Sequence, residues 1–496
     1  MKQELTSHKN QKKAFIVAIF LITLLAVSQL VTLVALHNPV FFNTMKTGIQ
    51  DFFEKEQGGN GVTINHTGET IVENITEFRK EGIYFEGQDV FDSVDYFSSE
   101  RERLIKQKMT FVDADLSNRL ITIYKNGEIE YAVNIKAIAS STSWWQTPPG
   151  VFKARNKIEV HKSTFGNVLM PWNIPFQGNF FIHGWPYYPS GRPASSLVSG
   201  GCIRLSEEDA KKIFSDIPVG SPIIVHTDEF RTNFIDRTDD FRVPKLSTDN
   251  YFIANLDTNE VYAQGNHMKE TTLGNIALLP LTLTAAEFIG IEKVHYAPST
   301  KKSTAQGDEW QEELYGFEDS ERINEGDMLR TYDFLFPALE DWSFEPLQVF
   351  GSYLGEEKYI NVTNEKLASI GAHNSHVSNL IKRDPKNYSS PKDIFLLTKY
   401  VHHYRSFLLD ISSTDVDTYL YGEPWLGNRR ENPRIFPGFE NFGGGLFDKV
   451  EGHTIARFEF NINGEKQSVF IGVFSSDDPL EDVSRIETAL RTFLEG

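Results

Sequence analysis

The sequence predicts a multidomain chain: an N-terminal transmembrane helix, then a β-rich domain, then a larger domain of mixed strand and helix. Three observations predict it. An uncharged apolar run covers 14–36, a two-residue alternation sets in near Met109, and roughly 250 residues of interleaved strand and helix patterns follow a charged connector. The 496 residues suit two or three folded units at roughly 100–200 residues each. With 38 Phe, 18 Tyr and 7 Trp there is material for real cores, which excludes a disordered chain, and one Cys excludes an intrachain disulfide scaffold. Acids outnumber bases by 68 to 49, so the net charge of −19 repels polyanions and excludes a nucleic-acid partner.

Ala14 to Leu36 is an uncharged stretch of 23 residues. As a helix it would be about 34 Å long, enough for a hydrocarbon core of about 30 Å. Lys2, Lys9, Lys12 and Lys13 against Glu4 alone predict a cytosolic tail over 1–13 and an exported remainder. The run is too long for a cleaved signal peptide, and Val34-Ala35-Leu36-His37 is a poor cleavage site, so a single-pass signal anchor is expected over 14–36. Residues 37–106 read as an acidic extracytoplasmic stalk, with 13 acids against 5 bases between Asp51 and Arg103.

The β-rich domain is expected over 107–229. Leu120 to Lys125 and Ile129 to Val133 alternate on either side of Asn126-Gly127, the strongest short-range hairpin signal. Ser221 to Val225 reads as its closing strand, after a turn at Pro218-Val219-Gly220. A linker is expected over 230–247.

The single thiol stands in Ser199-Gly200-Gly201-Cys202-Ile203-Arg204, just ahead of a helix start. Ser206 is a good N-cap, Asp209 stands three residues on, and Ala210, Ile213 and Phe214 make an apolar stripe. The positive end of that helix is expected to favour thiolate over thiol. Gly200, Gly201 and Cys202 offer backbone N–H groups to an oxyanion without side-chain interference. His183, leaving a strand beside Gly184, supplies an imidazole within twenty residues of the thiol. A thiol, an oxyanion nest and a base so close together point to nucleophilic catalysis.

Thr147-Pro148-Pro149-Gly150-Val151-Phe152, Ile182-His183-Gly184 and Ser199-x-Gly201-Cys202-Ile203-Arg204, taken together, resemble the catalytic domain of the L,D-transpeptidases, cysteine enzymes that cross-link peptidoglycan. The resemblance covers about 107–229. It implies Cys202 as nucleophile, His183 as base and the Gly184 carbonyl as the group that orients the imidazole. It implies that Arg204 holds the site or a substrate carboxylate; an ion pair with Glu207 or Glu208 is the alternative. Ser199, Trp185 and Tyr187 are candidates for substrate contact, and Trp144, Trp145, Trp172 and Tyr188 either wall the groove or pack in the core. Peptidoglycan stem peptides are the implied partner and carbapenem-type β-lactams the implied inhibitors, with no cofactor and no metal. Gly200 stands where many members of that family have His, which touches rate or acceptor preference rather than the base.

Over 248–496 the chain resembles the serine D-alanyl-D-alanine carboxypeptidases of the penicillin-binding group, which implies a β-lactamase-like α/β domain with an antiparallel sheet flanked by helices. The resemblance rests on the hairpin from Tyr251 turning at Asp257-Thr258-Asn259, on Asn364 to Ser375, and on the helix start at Ser390-Pro391. Glycines 443–445, Gly452-His453-Thr454 and the strand Gln467 to Phe474 complete it. The reactive motifs are missing. Asn275-Ile276-Ala277-Leu278 stands at the Ser-x-x-Lys position, Trp342-Ser343-Phe344 near the Ser-x-Asn position, and Val450-Glu451-Gly452 at the Lys-Thr-Gly strand. The domain therefore reads as non-catalytic.

His161 and His226 are rival bases. His373-x-x-His376 and His402-His403 lack the partners that zinc sites use. Three readings stand on sequence alone: a membrane-anchored transpeptidase, a hydrolase using the same Cys202 and His183 with water as acceptor, and a wall-binding scaffold.

Overall fold

The computed structural model describes residues 91, 94–141, 143, 145–163, 167–195, 199–296, 328–413, 439 and 441–495. The expected anchor, the tail before it, the stalk up to residue 90 and Trp144 lie outside them. Among the described residues no helix is long and apolar enough to cross a membrane.

The first domain pairs two sheets. Strands β1 (Phe111–Asp115), β2 (Leu120–Lys125), β3 (Glu128–Asn134), β4 (Gly150–Lys153) and β9 (Pro222–His226) form one, in the order β3-β2-β1-β9-β4. All its neighbours are antiparallel except β1 and β9. Strands β5 (Ile158–Ser163), β6 (Val168–Gln177), β7 (Phe180–His183) and β8 (Ile203–Arg204) form the other in sequence order, with β7 and β8 parallel. The β2–β3 hairpin turns at Asn126 and Gly127, at φ +54° and +80°, the left-handed pair a two-residue turn requires. Val112, Ile121 and Ile123 from the first sheet meet Phe176, Phe180, Ile182 and Ile203 from the second in one core. Helix α2 (Glu207–Asp216) closes it with Ala210 and Ile213, and Phe214 packs at its margin.

In the second domain, strand β10 (Ile235–Asp236), the hairpin β11 (Asn250–Asn255) and β12 (Glu260–Gly265), and the strands β17 (Phe442–Asp448), β18 (His453–Ile462) and β19 (Glu465–Phe474) form a six-stranded sheet. Its order is β10-β12-β11-β19-β18-β17. It is antiparallel throughout except at the β10 edge. Two-stranded pairs join β13 (Thr271–Thr272) to β16 (Tyr388–Ser389) and β14 (Val294–Tyr296) to β15 (Met328–Arg330). Alternation decides which face each strand residue serves. Ile253, Val469, Ile471 and Val473 pack under the C-terminal helix, whereas Phe252, Ala254, Phe470 and Phe474 face the opposite helical layer. That layer holds α3 (Leu278–Thr284), α4 (Thr331–Glu340), α5 (Glu345–Leu354), α6 (Glu356–Ser369), α7 (Pro391–Tyr404) and α8 (Phe407–Ser412), and the C-terminal helix is α9 (Pro479–Glu495). Helix α7 starts where expected, with the Ser390 side chain accepting from the Asp393 N–H.

Three stretches differ from the sequence reading. The end of the expected stalk is a helix, α1 (Tyr96–Lys106), whose Tyr96, Phe97, Glu100 and Leu104 are buried. The expected linker is pinned rather than free, because Phe230, Phe234 and Phe241 are buried and Ile235–Asp236 adds an edge strand to the second sheet. Phe111, Tyr124 and Ile224 of the first domain share one core with Phe230, Phe252 and Tyr400, so the two domains meet through an apolar contact of interior type. Val450-Glu451-Gly452 is not a strand but the turn between β17 and β18, where Gly452 takes φ +69°.

Candidate active site

The site is built on β7 and β8. Their parallel register pairs Ile182 with Ile203 and His183 with Arg204, and the Leu205 N–H donates to the His183 carbonyl at 2.9 Å. Cys202, immediately before β8, is thereby brought level with the strand that ends in His183. His183 is 1% exposed, and its Nδ1 lies 2.6 Å from the Gly184 carbonyl oxygen. A carbonyl only accepts, so Nδ1 carries the proton and Nε2 the free lone pair. Burial pushes the imidazole down to about 3, with the charges of Arg204 and His161 acting the same way and the Gly184 carbonyl opposing them.

The half-buried Cys202 donates its S–H to the Asn179 carbonyl at 3.8 Å. Burial pushes the thiol up to about 11, against a backbone hydrogen bond from Phe181 and the charge of Arg204. Against the expected thiolate, burial favours the neutral thiol and the neutral imidazole. The reason is the balance of two effects. Desolvation disfavours both ions, while the helix end acts only from Glu207 onward and carries Glu207, Glu208 and Asp209 in its own first turn. Ser206 caps that helix as expected, its Oγ accepting from the Asp209 N–H at 3.1 Å.

Gly201 sits at φ +112°, and a Cβ there would lie 2.5 Å from the Phe180 ring and 2.9 Å from the Trp145 carbonyl oxygen. Only glycine meets both demands. Thr147 Oγ1 donates to the Gly201 carbonyl at 2.7 Å, which ties the Thr-Pro-Pro-Gly segment to the nucleophile loop. Among the described residues, no backbone hydrogen bond uses the N–H of Gly200, Gly201 or Cys202. Such free donors can meet an oxyanion.

The other candidates fall around this centre. Ser199 is buried, its N–H donates to the Ile138 carbonyl at 3.1 Å, and its Oγ has no hydrogen-bond partner. The Arg204 guanidinium lies over the Trp185 ring at 5.9 Å, and the Trp185 Nε1–H donates to the Ala194 carbonyl at 3.0 Å. Tyr187 bridges to Leu169 and Pro193 and so clamps the Pro- and Ser-rich loop onto β6. Trp145 and Trp172 pack against the domain core, Trp145 stacking on Phe180 at 5.0 Å. His161 packs on Phe181 with ring centroids 5.2 Å apart, next to the site. His226 is engaged elsewhere, with Asp113 Oδ1 at 3.1 Å and Arg101 Nη2 at 2.9 Å.

In the second domain the position of the missing nucleophile is filled. The Asn275 N–H donates to Asp448 Oδ2 at 2.9 Å, its side chain donates to the Phe447 carbonyl at 2.8 Å, and Arg383 pairs with Asp448 at 3.1 Å. Trp342 lies edge-on to Phe447 at 5.6 Å. Strand β17, the edge beside this cluster, carries Phe-Gly-Gly-Gly-Leu-Phe-Asp and no lysine. Asp257, His402 and His403 gather their ligand atoms within 4.8 Å of one another. Three of their four ring nitrogens have contacts within the protein: His402 Nε2 lies 3.1 Å from Asp257 Oδ1, Arg457 lies 3.3 Å from His402 Nδ1, and His403 Nε2 lies 3.0 Å from the Leu256 carbonyl. His373 and His376 contact the rings of Tyr96 and Tyr388.

Sequence reasoning missed the Asn179 carbonyl, the anchoring role of Thr147 and every second-domain residue that touches this loop. Thr147 was visible as part of a motif, but its partner was not. Arg405 lies 5.1 Å from the Trp145 ring centroid across 260 residues of chain, and no local pattern announces that.

A half-buried thiol thus stands beside a strand-end histidine, with two glycines before it and a helix beginning just beyond. Residues 109–225 match the model of the YkuD family, the L,D-transpeptidase catalytic domain. The match spans about a quarter of the chain and supports an activity on cell-wall peptidoglycan. No curated protein matches the chain. Similar solved structures include penicillin-binding proteins and L,D-transpeptidases. Penicillin-binding protein 6B from Escherichia coli is 12% identical over 50% of this chain and 78% of its own, with a TM-score of 0.40. A D-alanyl-D-alanine carboxypeptidase from Mycobacterium tuberculosis is 12% identical over 52% and 96%, at 0.39. An L,D-transpeptidase from Stackebrandtia nassauensis is 18% identical over 26% of this chain and 66% of its own, at 0.21.

Proposed function

We propose that the chain is a membrane-anchored cysteine L,D-transpeptidase that acylates Cys202 with a peptidoglycan stem peptide and passes the acyl group to an amine. The observation that carries this is the Gly184 carbonyl on His183 Nδ1, which leaves the Nε2 lone pair free on the strand beside Cys202. His183 takes the S–H proton as sulfur attacks the carbonyl carbon of the bond before a terminal D-residue. The Gly200, Gly201 and Cys202 amides receive the oxyanion. His183 then returns the proton to the leaving amine, and a thioester remains. An amine from a second stem peptide attacks it, its proton passes through His183 to the sulfur, and an amide bond and free Cys202 result. Acyl energy is conserved throughout, so no nucleotide is needed.

Arg204 and the unpartnered Ser199 hydroxyl are assigned to the stem peptide, with Trp185 and Tyr187 shaping the loop above it. The run at 14–36 holds the protein in the cell membrane, with residues 1–13 cytosolic and the catalytic domain outside. The second domain performs no acyl transfer, because Asn275 and Leu278 stand where the resembled enzymes have their nucleophilic Ser and their Lys.

The test is to incubate the full chain in detergent micelles with disaccharide tetrapeptide and follow the products by mass spectrometry. A cross-linked dimer and an acyl adduct on Cys202, both lost in Cys202→Ala, are expected. Tripeptide without dimer would mean that water is the acceptor. No product, with wild type behaving as Cys202→Ala, would leave only a wall-binding scaffold.

A further inference from the structure

The second domain reaches the reacting sulfur's surroundings through one buried charge cluster. Glu287, fully buried in the turn Ala285–Gly290, pairs with Lys366 at 3.1 Å and Arg405 at 2.9 Å and accepts from the Tyr400 hydroxyl at 2.5 Å. It also accepts from the side chain of Gln177, the last residue of β6. The next residue, Gly178, sits at φ +47°, and a Cβ there would lie 2.6 Å from the Glu287 carbonyl oxygen. The turn of the β6–β7 hairpin is thus pressed onto Glu287, and the following residue is Asn179, whose carbonyl holds the Cys202 thiol.

Arg405 makes a second contact. Its guanidinium, fully buried and oriented by Glu287, lies over the rings of Trp145 at 5.1 Å and Phe180 at 5.4 Å and donates to the Gln146 carbonyl at 3.2 Å. The Trp145 carbonyl and the Phe180 ring are the groups that close around Gly201, and Thr147, next to Gln146, binds the Gly201 carbonyl. Both sides of the thiol, its acceptor at Asn179 and its oxyanion nest at Gly201, therefore rest on the same Glu287–Arg405 pair of the other domain.

We propose that Glu287 and Arg405 are positioning residues for the reaction at Cys202. The degenerate domain acts on the first domain's catalytic loop, and no substrate is held at its own cluster around Asn275. A buried charge cluster adds little net stability, but it fixes geometry, and a misplacement on the order of 1 Å at a reacting centre can cost about 100-fold in rate. Arg405→Lys keeps the charge beside Glu287 and removes the planar fork that spans two rings and a carbonyl.

This inference rests on the proposed function only for its turnover readout; alkylation of Cys202 needs no substrate and is read separately. The full chain is compared as wild type, Arg405→Lys, Gln177→Ala and Leu490→Ala. The last of these unpacks the core under α9, away from the interface. For Arg405→Lys, kcat for dimer formation is expected to fall about ten-fold or more with KM nearly unchanged. Iodoacetamide alkylation of Cys202 at neutral pH is expected to speed up, its pH profile moving to lower pH, because the displaced hairpin frees the thiol from the Asn179 carbonyl. Slower turnover with a more reactive sulfur is a signature that loss of stability alone does not give.

Leu490→Ala is expected to lower the unfolding midpoint and leave both profiles in place. Unchanged kcat and alkylation in Arg405→Lys overturn the proposal, as do equal shifts in Leu490→Ala. If Arg405→Lys yields no folded protein, Gln177→Ala decides. Loss of its hydrogen bond is expected to lower kcat about three-fold with the same alkylation shift, and no change overturns the proposal. If wild type fails to turn over, the functional reading fails while the alkylation comparison still decides this one.

Discussion

Raising pH discriminates between two reactions of the same sulfur. With the thiol pushed up to about 11, free Cys202 is ionised to roughly one part in 10,000 near pH 7, where an ordinary cysteine of pKa about 8.5 is ionised to about 3%. That is about 300-fold less thiolate. A thiolate of higher pKa is intrinsically more nucleophilic by about ten-fold at this difference, so alkylation should be about 30-fold slower than for an exposed cysteine. The rate should climb about ten-fold per pH unit from about pH 6 to 9, since each unit multiplies the thiolate ten-fold.

A carbapenem should behave otherwise. If acylation follows the proposed route with His183 as general base, an imidazole pushed down to about 3 is already unprotonated across that range, so the rate should stay nearly flat. The assay is intact-mass spectrometry of the full chain after timed exposure to iodoacetamide or meropenem, buffer by buffer. An alkylation rate that levels off by about pH 7 would refute the reasoning, because it would place a thiolate–imidazolium pair in the free protein.

Gly201→Ala should lower stability by about 2 kcal/mol, given the left-handed φ and the Phe180 ring in the way, and abolish carbapenem acylation; calorimetry and mass spectrometry read the two effects. His183→Gln should slow acylation by about 100-fold or more while His226→Gln leaves it at the wild-type rate, measured side by side. A third case concerns Lys366, whose ammonium is pushed down by burial against the opposing pull of Glu287. Its folded pKa lies below its unfolded one, so between the two values the unfolded chain binds more protons and stability rises with pH. Denaturant titrations from neutral to alkaline pH should show that rise in wild type and a flatter slope in Lys366→Met.

Elements with local causes were legible in the sequence. Asn126-Gly127 announced its hairpin, Asp257-Thr258-Asn259 the one that begins at Tyr251, and Ser206 and Ser390 their helices. Cys202, His183 and Gly201 were legible too, since chemistry and backbone constraint coincide there. The ionisation state was not. It depends on how completely β7, β8 and the loop around Trp145 dehydrate the sulfur, which helix-end reasoning ignores. Phe230, Phe234 and Phe241 signalled a packed connector, but the charges between them hid it. The Glu287–Arg405 cluster had no sequence signature, because its partners come from four separate stretches of chain.

Helix α1 is stitched to both lobes. Arg101 grips Asp113 of the first, the Tyr96 hydroxyl donates to the Ala368 carbonyl of the second at 3.1 Å, and the Tyr96 N–H donates to Thr232 in the segment that joins them. A tug arriving at Asp95 is therefore shared between the halves instead of prying one from the other. The two lobes keep one setting about α1, as two plates do when both are riveted to the same strap.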